Sequence, residues 1–397
     1  MARILVLDGH SAAALVITRS AGRAGHWVAV GANRGIFAPA RLSRYCRSTL
    51  DYPVSTDEPA AFLDSIIEFV RAHAIDLIVP VTDWTLGPLS AQRERFANVC
   101  RIAMPSKEAV ESASDKYRTI KIAQSLGIGV PDTKLFRSGE SVNSSVTSFP
   151  RVVKDRFSVR WIVNRAVFGS VSYAYSEDEL LSKIGDRTWT AGDVLVQEFV
   201  SGVGIGVSCF VVRGELFVPF QWLRVREVDP RGSASSARQS MPLDSALVSQ
   251  SHRLIEAMGF EGVAMVEYKQ TADGHMVLME INGRPWGSIG LPVACGIDYP
   301  NYLIDWALQG TLPPASKPYR ENILCRRAIG ELTHLSNIRR GRPPNWPASY
   351  PKFWPSLIEM AIPWRPGVRY DDLSFSDLRP GVAGIVHWFR SRLKLGR

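Results

Sequence analysis

Long apolar runs are missing from this chain of 397 residues. No stretch of about 18 consecutive apolar residues occurs, which argues against a membrane-spanning helix. Cysteine is scarce and unpatterned. The five (Cys46, Cys100, Cys209, Cys295 and Cys325) are odd in number, scattered and never spaced C-x-x-C. Neither a disulfide framework nor a zinc site is expected, and the setting is read as reducing and cytoplasmic. The opening "MARILVLDGHS" has one basic residue and reaches Asp8 after a short apolar run, so it reads as a first strand and a poor signal peptide. No G-x-G-x-x-G follows that strand, so a dinucleotide site is not supported. The seven histidines share no metal-ligand spacing, no Ser-His-Asp or Cys-His set stands out, and there are no internal repeats.

What is present is a balanced body with a basic end. Hydrophobic residues make up 46% and charged residues 21%, the composition of a globular protein of two or three domains. The net charge of +9 is concentrated: Lys317 to Arg397 holds 15 Lys/Arg against 6 Asp/Glu, leaving 32 of each sign in the rest. The same segment holds nine prolines and four tryptophans. A basic tail on a neutral body, and no basic field over the whole protein, is the consequence.

Strand and helix alternate at the start. "ARILVL" reads as a buried strand, "SAAALVITRSAGRAG" as a helix ending near Gly25, and "HWVAVGA" as the next strand. "DEPAAFLDSIIEFVRAHA" has a helical apolar period with Asp57 as its N-cap, and "IDLIVPVTD" is a buried strand. Residues 1–105 therefore predict a small parallel α/β domain. Residues 106–312 predict an α+β unit whose strands adjoin without regular crossover helices, in lobes of about 106–195 and 196–312. Its segments include two helices closed by Gly127 and Pro131, a short strand ending at Lys154, the strand "DVLVQEFV", a glycine-rich turn "SGVGIG" and a hairpin turning at Arg213-Gly214. The basic Pro/Trp-rich region 313–397 completes the chain.

The hairpin "GVAMVEYKQTADGHMVLMEING" carries the sharpest signal. Centring its turn on Asp273-Gly274 pairs Ala272 with His275 and sets Glu267 directly across from Glu280. Asn282 projects from the same face. Two carboxylates facing each other repel, so solvent or a cation must compensate them. A hard divalent ion, with its preference for carboxylate, amide and phosphate oxygens, suits the set. Lys269, diagonal to Glu280 on the same face, is the competing partner.

At these residues the sequence resembles the ATP-grasp superfamily, in its carbamoyl-phosphate-synthase-like and carboxylate–amine ligase branch. "MVEYK … LMEINGRPWGS" resembles the metal-binding strands, with Glu267, Glu280 and Asn282 in the matching places. "SDKYRT" and "FPRVVKD" resemble the segments supplying two ATP-contacting lysines, Lys116 and Lys154. "VLVQEFVSGVGIG" resembles the linker that holds adenine, which implies contacts from Gln197, Glu198, Phe199 and Val200. The resemblance covers roughly residues 1–312. It implies an N-terminal parallel domain, a two-lobed ATP-grasp fold, ATP with Mg2+ (or Mn2+), and small-molecule carboxylate and amine substrates joined through an acyl-phosphate. Lys154 and Arg284 are the implied catalytic residues. A non-catalytic nucleotide-binding module is the alternative.

Two departures from the family pattern stand out. Where a glycine-rich phosphate loop is usual, the chain has "DRFSVRWIVNRAVFG", with Arg156, Ser158, Arg160 and Arg165. "SGVGIG", where relatives often place a glutamate for the ribose hydroxyls, has Val203 and no acidic residue within it. "QWLRVREVDPRGSASSARQS" resembles the substrate-side loop, with Arg226 and Arg238 as candidates for gripping a substrate carboxylate; a solvated loop is the other reading. The tail "HWFRSRLKLGR" is read first as a helix packed on the body, second as a weak contact with an anionic membrane surface. No nucleic-acid partner is expected, and self-association is left open.

Overall fold

The computed structural model describes residues 1–55, 57–137, 148–162, 165–190, 192–362 and 365–395. The N-terminal unit is β1 (Arg3–Val6), α1 (Ala12–Arg23), β2 (Trp27–Asn33), β3 (Cys46–Tyr52), α2 (Pro59–His73), β4 (Leu77–Val79), α3 (Asp83–Ala91) and β5 (Arg101–Ile102). Its strands are all parallel in the order β3-β2-β1-β4-β5. The near-continuous apolar strands "RILV" and "LIV" are what a sheet covered on both faces requires. Helix α2 starts one residue later than expected from an Asp57 cap. Glu58 is the N-cap and makes no side-chain capping bond; Pro59 at the first helical position supplies the start through its fixed φ.

Two helices follow, α4 (Lys107–Ser114) and α5 (Lys116–Ser125), the second closed by Gly127 at φ +69. A small lobe is then built from β6 (Thr133–Phe136), β7 (Arg151–Asp155), the β8 (Val159–Ile162)–β9 (Arg165–Phe168) hairpin, β10 (Val171–Ala174), α6 (Glu177–Thr190) and β11 (Val194–Glu198). Its sheet runs β10-β7-β11-β6.

The large sheet starts at β12 (Val203–Val212) and continues with β13 (Glu215–Glu227), β14 (Ser235–Met241), α7 (Ser245–Ala257), β15 (Gly262–Gln270), β16 (Met276–Asn282), α8 (Gly290–Cys295) and α9 (Tyr299–Gln309). The remainder is β17 (Leu324–Arg326), α10 (Ala328–Ile338), α11 (Phe353–Met360), β18 (Val368–Tyr370) and α12 (Arg379–Leu395). The order is β16-β15-β12-β13-β14-β17-β18, so the C-terminal region adds the last two strands to this sheet. It is built into the body and does not extend from it. One face of the large sheet (Phe220, Trp222, Val263, Met265) packs on the N-terminal unit through Trp286 and Tyr299. The other (Ile205, Val207, Ala264, Val266) packs on α7. No helix among the described residues is long and apolar enough to cross a membrane.

Two expected loops are strands. "SGVGIG" enters β12 at Val203 instead of turning, and most of "QWLRVREVDPRGSASSARQS" forms the β13–β14 ladder. Serine and arginine read as solvent-facing, but a ladder whose side chains find internal partners tolerates both. The Arg213-Gly214 turn is found as expected, with both residues at positive φ and Val212 paired to Glu215.

Candidate active site

The site is set by the register of β15 and β16. Glu267 lies opposite Glu280 and Met265 opposite Asn282, as the sequence predicts. The route to that pairing differs. Thr271, not Ala272, faces His275, in a turn closed by the Gly274 N–H donating to the Thr271 carbonyl (2.9 Å). A bulge between Glu267 and Tyr268 then shifts the ladder by one, and the two offsets cancel.

Neighbouring strands extend this face. Gly206 pairs with Glu267 on one side and with Trp222 on the other. Gly204 lies opposite Lys269. A Cβ on Gly206 would sit 2.2 Å from the Trp222 ring, and one on Gly204 would sit 3.0 Å from Arg224. The two glycines leave β12 bare so that Arg224, on β13, reaches across it to Glu267, on β15. Arg224 also meets Glu227 (3.0 Å). Lys269, the competing partner for the glutamates, donates instead to the Val200 carbonyl (2.7 Å). Burial, with Glu280 and Glu227 close by, pushes the Glu267 carboxyl up to about 7 against the pull of Arg224.

Glu280 is exposed, and its one hydrogen bond among the described residues is from Asn282 Nδ2 (3.2 Å). It has no ion pair among them. It shares a cleft with Asp83, Lys116, Ser158, Asn282 and Arg284. Lys116 opens α5 behind the Asp115 cap and donates to Ser158 Oγ (2.8 Å). Lys154 is on β7, and its side chain makes no hydrogen bond or ion pair among the described residues. Burial and the neighbouring Lys116 lower its ammonium to about 8, and burial lowers Lys116 as well despite Glu280 and Asp83. Two desolvated ammoniums side by side form a seat for a polyanion. Arg284 pairs with Asp83 (2.8 Å), at the N-terminus of α3 in the N-terminal unit. Burial works to raise the Asp83 carboxyl, but Arg284 and Lys116 outweigh it and hold it below its ordinary range.

The expected linker is the end of β11 and the two residues after it. Gln197 is buried and donates from Nε2 to Thr133 Oγ1 (2.7 Å), and the Glu198 carboxylate accepts from the Asp132 N–H (3.0 Å). Phe199 packs edge-on to Tyr173 and Trp346, and Val200 is buried.

Arg226 and Arg238 do not reach the cleft. Arg226 is buried between Glu331 and Glu359 (2.5 Å each). Arg238 is paired with Asp371, both side chains 1% exposed. Both guanidinium groups are consumed by carboxylates from the C-terminal region, which corrects their assignment to substrate. Arg156 likewise is held by Asp115 (2.5 Å) and Asp193 (3.0 Å). The side chains of Arg160 and Arg165 lie outside the described residues. Sequence reasoning missed Arg224 and Asp83. Alternation along β13 from Trp222, opposite a strand with glycines two apart, was the available signal for the first; Thr82-Asp83 at the carboxyl end of a buried strand was the signal for the second.

A family model described as "ATP-grasp in the biosynthetic pathway with Ter operon" matches residues 190–328, which include β15, β16 and Arg284. The chain is 27% identical over 184 residues to a D-alanine–D-alanine ligase of Pseudomonas entomophila, a match covering 44% of this chain and 55% of that protein. It is 26% identical over 229 residues to a probable alpha-L-glutamate ligase of Aeromonas salmonicida, covering 55% and 71%. An L-amino acid ligase from Bacillus licheniformis superposes with a TM-score of 0.61 at 19% identity, over 78% of this chain and 74% of that one. Residues 190–328 thus match an ATP-grasp family model, and the chain shares its fold with the ligase structure. The cleft is lined by Asp83 of the N-terminal unit, Lys116 of α5, Ser158 of the small lobe, and Glu280, Asn282 and Arg284 on and after β16.

The residues present fit a divalent ion. Glu267 and Glu280 face one another and Arg224 balances one of them; Asn282 adds an amide oxygen. Among the described residues no trio of His, Cys, Asp or Glu forms an alternative metal centre.

Proposed function

We propose that this protein is an ADP-forming ATP-grasp ligase that joins a small-molecule carboxylate to an amine. The observation that carries the proposal is charge of both signs gathered at one cleft: Glu280, with Glu267 paired opposite it and Asn282 beside it, close to the desolvated ammoniums of Lys116 and Lys154. A nucleoside triphosphate with a magnesium or manganese ion satisfies both signs together. Glu267, Glu280 and Asn282 would hold the ion, which when bound offsets charge on the triphosphate. Lys116 and Lys154 bind the phosphates as point charges. The linker residues Gln197 to Val200 face the base, with Phe199 and Val200 as apolar walls.

In this reading a substrate carboxylate oxygen attacks the γ-phosphorus, the bond to the β-phosphate oxygen breaks, and ADP leaves. Arg284, aimed by Asp83, stabilises the transferring phosphoryl group; no protein nucleophile takes part. The amine then attacks the acyl-phosphate carbonyl, the C–O bond to phosphate breaks, and the nitrogen loses a proton. Arg224, the guanidinium on the cleft face, takes the carboxylate-holding role first assigned to Arg226 and Arg238. The relatives named above are called ligases of alanine, glutamate and other amino acids, which makes amino acids the first substrates to try.

The second reading, a nucleotide-binding protein without turnover, is favoured by one observation: Arg224 already clasps Glu267. ADP release with pairs of amino acids separates the two. Release that requires both an acid and an amine is expected. Tight Mg-ATP binding with no acceptor-dependent ADP would overturn the ligase proposal and leave the second reading standing.

A further inference from the structure

The C-terminal region concentrates two surface features. Nine of the sixteen exposed large apolar side chains among the described residues lie between Trp354 and Leu393, about a tenth of the chain. On α12 they are Val382, Val386, Phe389 and Leu393, which at 100° per residue fall within about 60° of the helix circumference. On and just after α11 they are Trp354, Ile358 and Ile362, again one turn apart. Both helices pack on α10, and Trp388, on the inner side of α12, donates to Thr333 Oγ1 (3.0 Å). The stripes are therefore outer faces of an anchored layer.

The second feature is charge. Of the six acids in Lys317–Arg397, five are turned inward: Asp371 to Arg238, Asp377 to Arg19, Glu331 and Glu359 to Arg226, and Asp372 to the N–H groups of Ala328 and Ile329. Most of the partners come from the body, so the region's own cations are left outside. Among the described residues ten of its Lys and Arg side chains are exposed, against Glu321 and the partly exposed Glu359. The exposed surface of the region is thus basic, with few acids among its cations. Arg379 and Arg390, both exposed, flank the apolar stripe of α12, and no Asp or Glu occurs from Arg379 to Arg397.

We propose that α11 and α12 form a docking surface for an anionic lipid bilayer, with the apolar stripes entering the headgroup boundary and the arginines meeting lipid phosphates. A second copy of the chain is disfavoured as the occupant because it would set two strongly basic surfaces against each other. A nucleic acid would use the arginines but has no need of an aliphatic stripe. The docking surface is independent of the ligase reading.

The test is co-sedimentation of the full chain with phosphatidylcholine vesicles, with and without phosphatidylglycerol. Binding to the anionic vesicles at least about tenfold tighter is expected, at roughly fivefold per engaged cation, and it falls as salt is raised. Phe389→Asp with Leu393→Asp is expected to weaken it at least about tenfold, with an unchanged circular-dichroism melt because both side chains are exposed. Equal partitioning onto both vesicles, no sedimentation, or unchanged binding of the double variant would overturn the proposal. So would a chain that is dimeric by light scattering, made monomeric by the double variant, and silent towards vesicles.

Discussion

The cleft end of the large sheet and its far edge carry the same kinds of charged residue and treat them in opposite ways. At the far edge the buried carboxylates are met by cations or N–H groups: Arg238 with Asp371, Arg226 with Glu331 and Glu359, Arg19 with Asp377, and Asp372 with the Ala328 and Ile329 N–H groups. At the cleft, Lys154 and Glu280 have no ion-pair partner among the described residues, and Lys116 holds only a serine hydroxyl. Saturated charge is a device for joining the C-terminal region to the body. Unsaturated charge, costly to leave buried, marks the place where a ligand completes the structure.

Substitutions at the two ends are expected to fail differently. Arg238→Ala strands a buried Asp371 and is expected to lower unfolding stability by about 4 kcal/mol, read by denaturant titration. Replacing both partners by apolar residues of similar volume is expected to recover most of that loss. A drop in nucleotide affinity without a drop in stability would blur the distinction between the two ends. Glu280→Gln is expected to do the reverse: an unchanged melt, with metal-dependent ATP turnover reduced about a hundredfold or more. Full activity would remove the metal role.

Lys154→Ala is expected to weaken nucleotide binding by about 2 kcal/mol, roughly thirtyfold, by isothermal titration calorimetry. The pH dependence follows from the same group. Its ammonium is lowered to about 8, so the charged form that binds phosphate is complete below pH 8 and is lost as pH rises through it. Nucleotide affinity is expected to fall above pH 8, with proton uptake on binding; an affinity flat from pH 7 to 9 would show that Lys154 is not in contact with the phosphates. The smallest effect is expected for Gly206→Ala, about 1–2 kcal/mol of stability, because the new methyl group meets the Trp222 ring. Thermal melting with the Trp222→Phe background, in which the ring is smaller, is expected to show a reduced penalty.

Much of this was legible in the sequence, for reasons that differ between elements. The alternation of helix and strand before Arg101 and the facing of Glu267 and Glu280 rest on short-range periodicity and a turn signal. The pairing was reached although the turn was placed one position off, because the bulge at Glu267 restored the register. Bulges depend on packing against a neighbouring strand and leave little trace in composition. The glycines of "SGVGIG" were read as a turn since glycine is commonest there; their use inside β12, to let Arg224 cross the sheet, depends on a strand some twenty residues away in sequence.

The sequence by itself determined the parallel N-terminal unit, the carboxylate pair with its asparagine, and the lysines Lys116 and Lys154 at the head of a helix and on a short strand, because strand alternation and helix capping act over a few residues. Tertiary structure alone decided which arginines are held away from the cleft. Arg238 and Asp371 are 133 positions apart, and Arg226 and Glu331 are 105 apart. An ion pair between such distant residues has no local pattern, and only the fold brings together the charges that cancel and leaves apart those that do not.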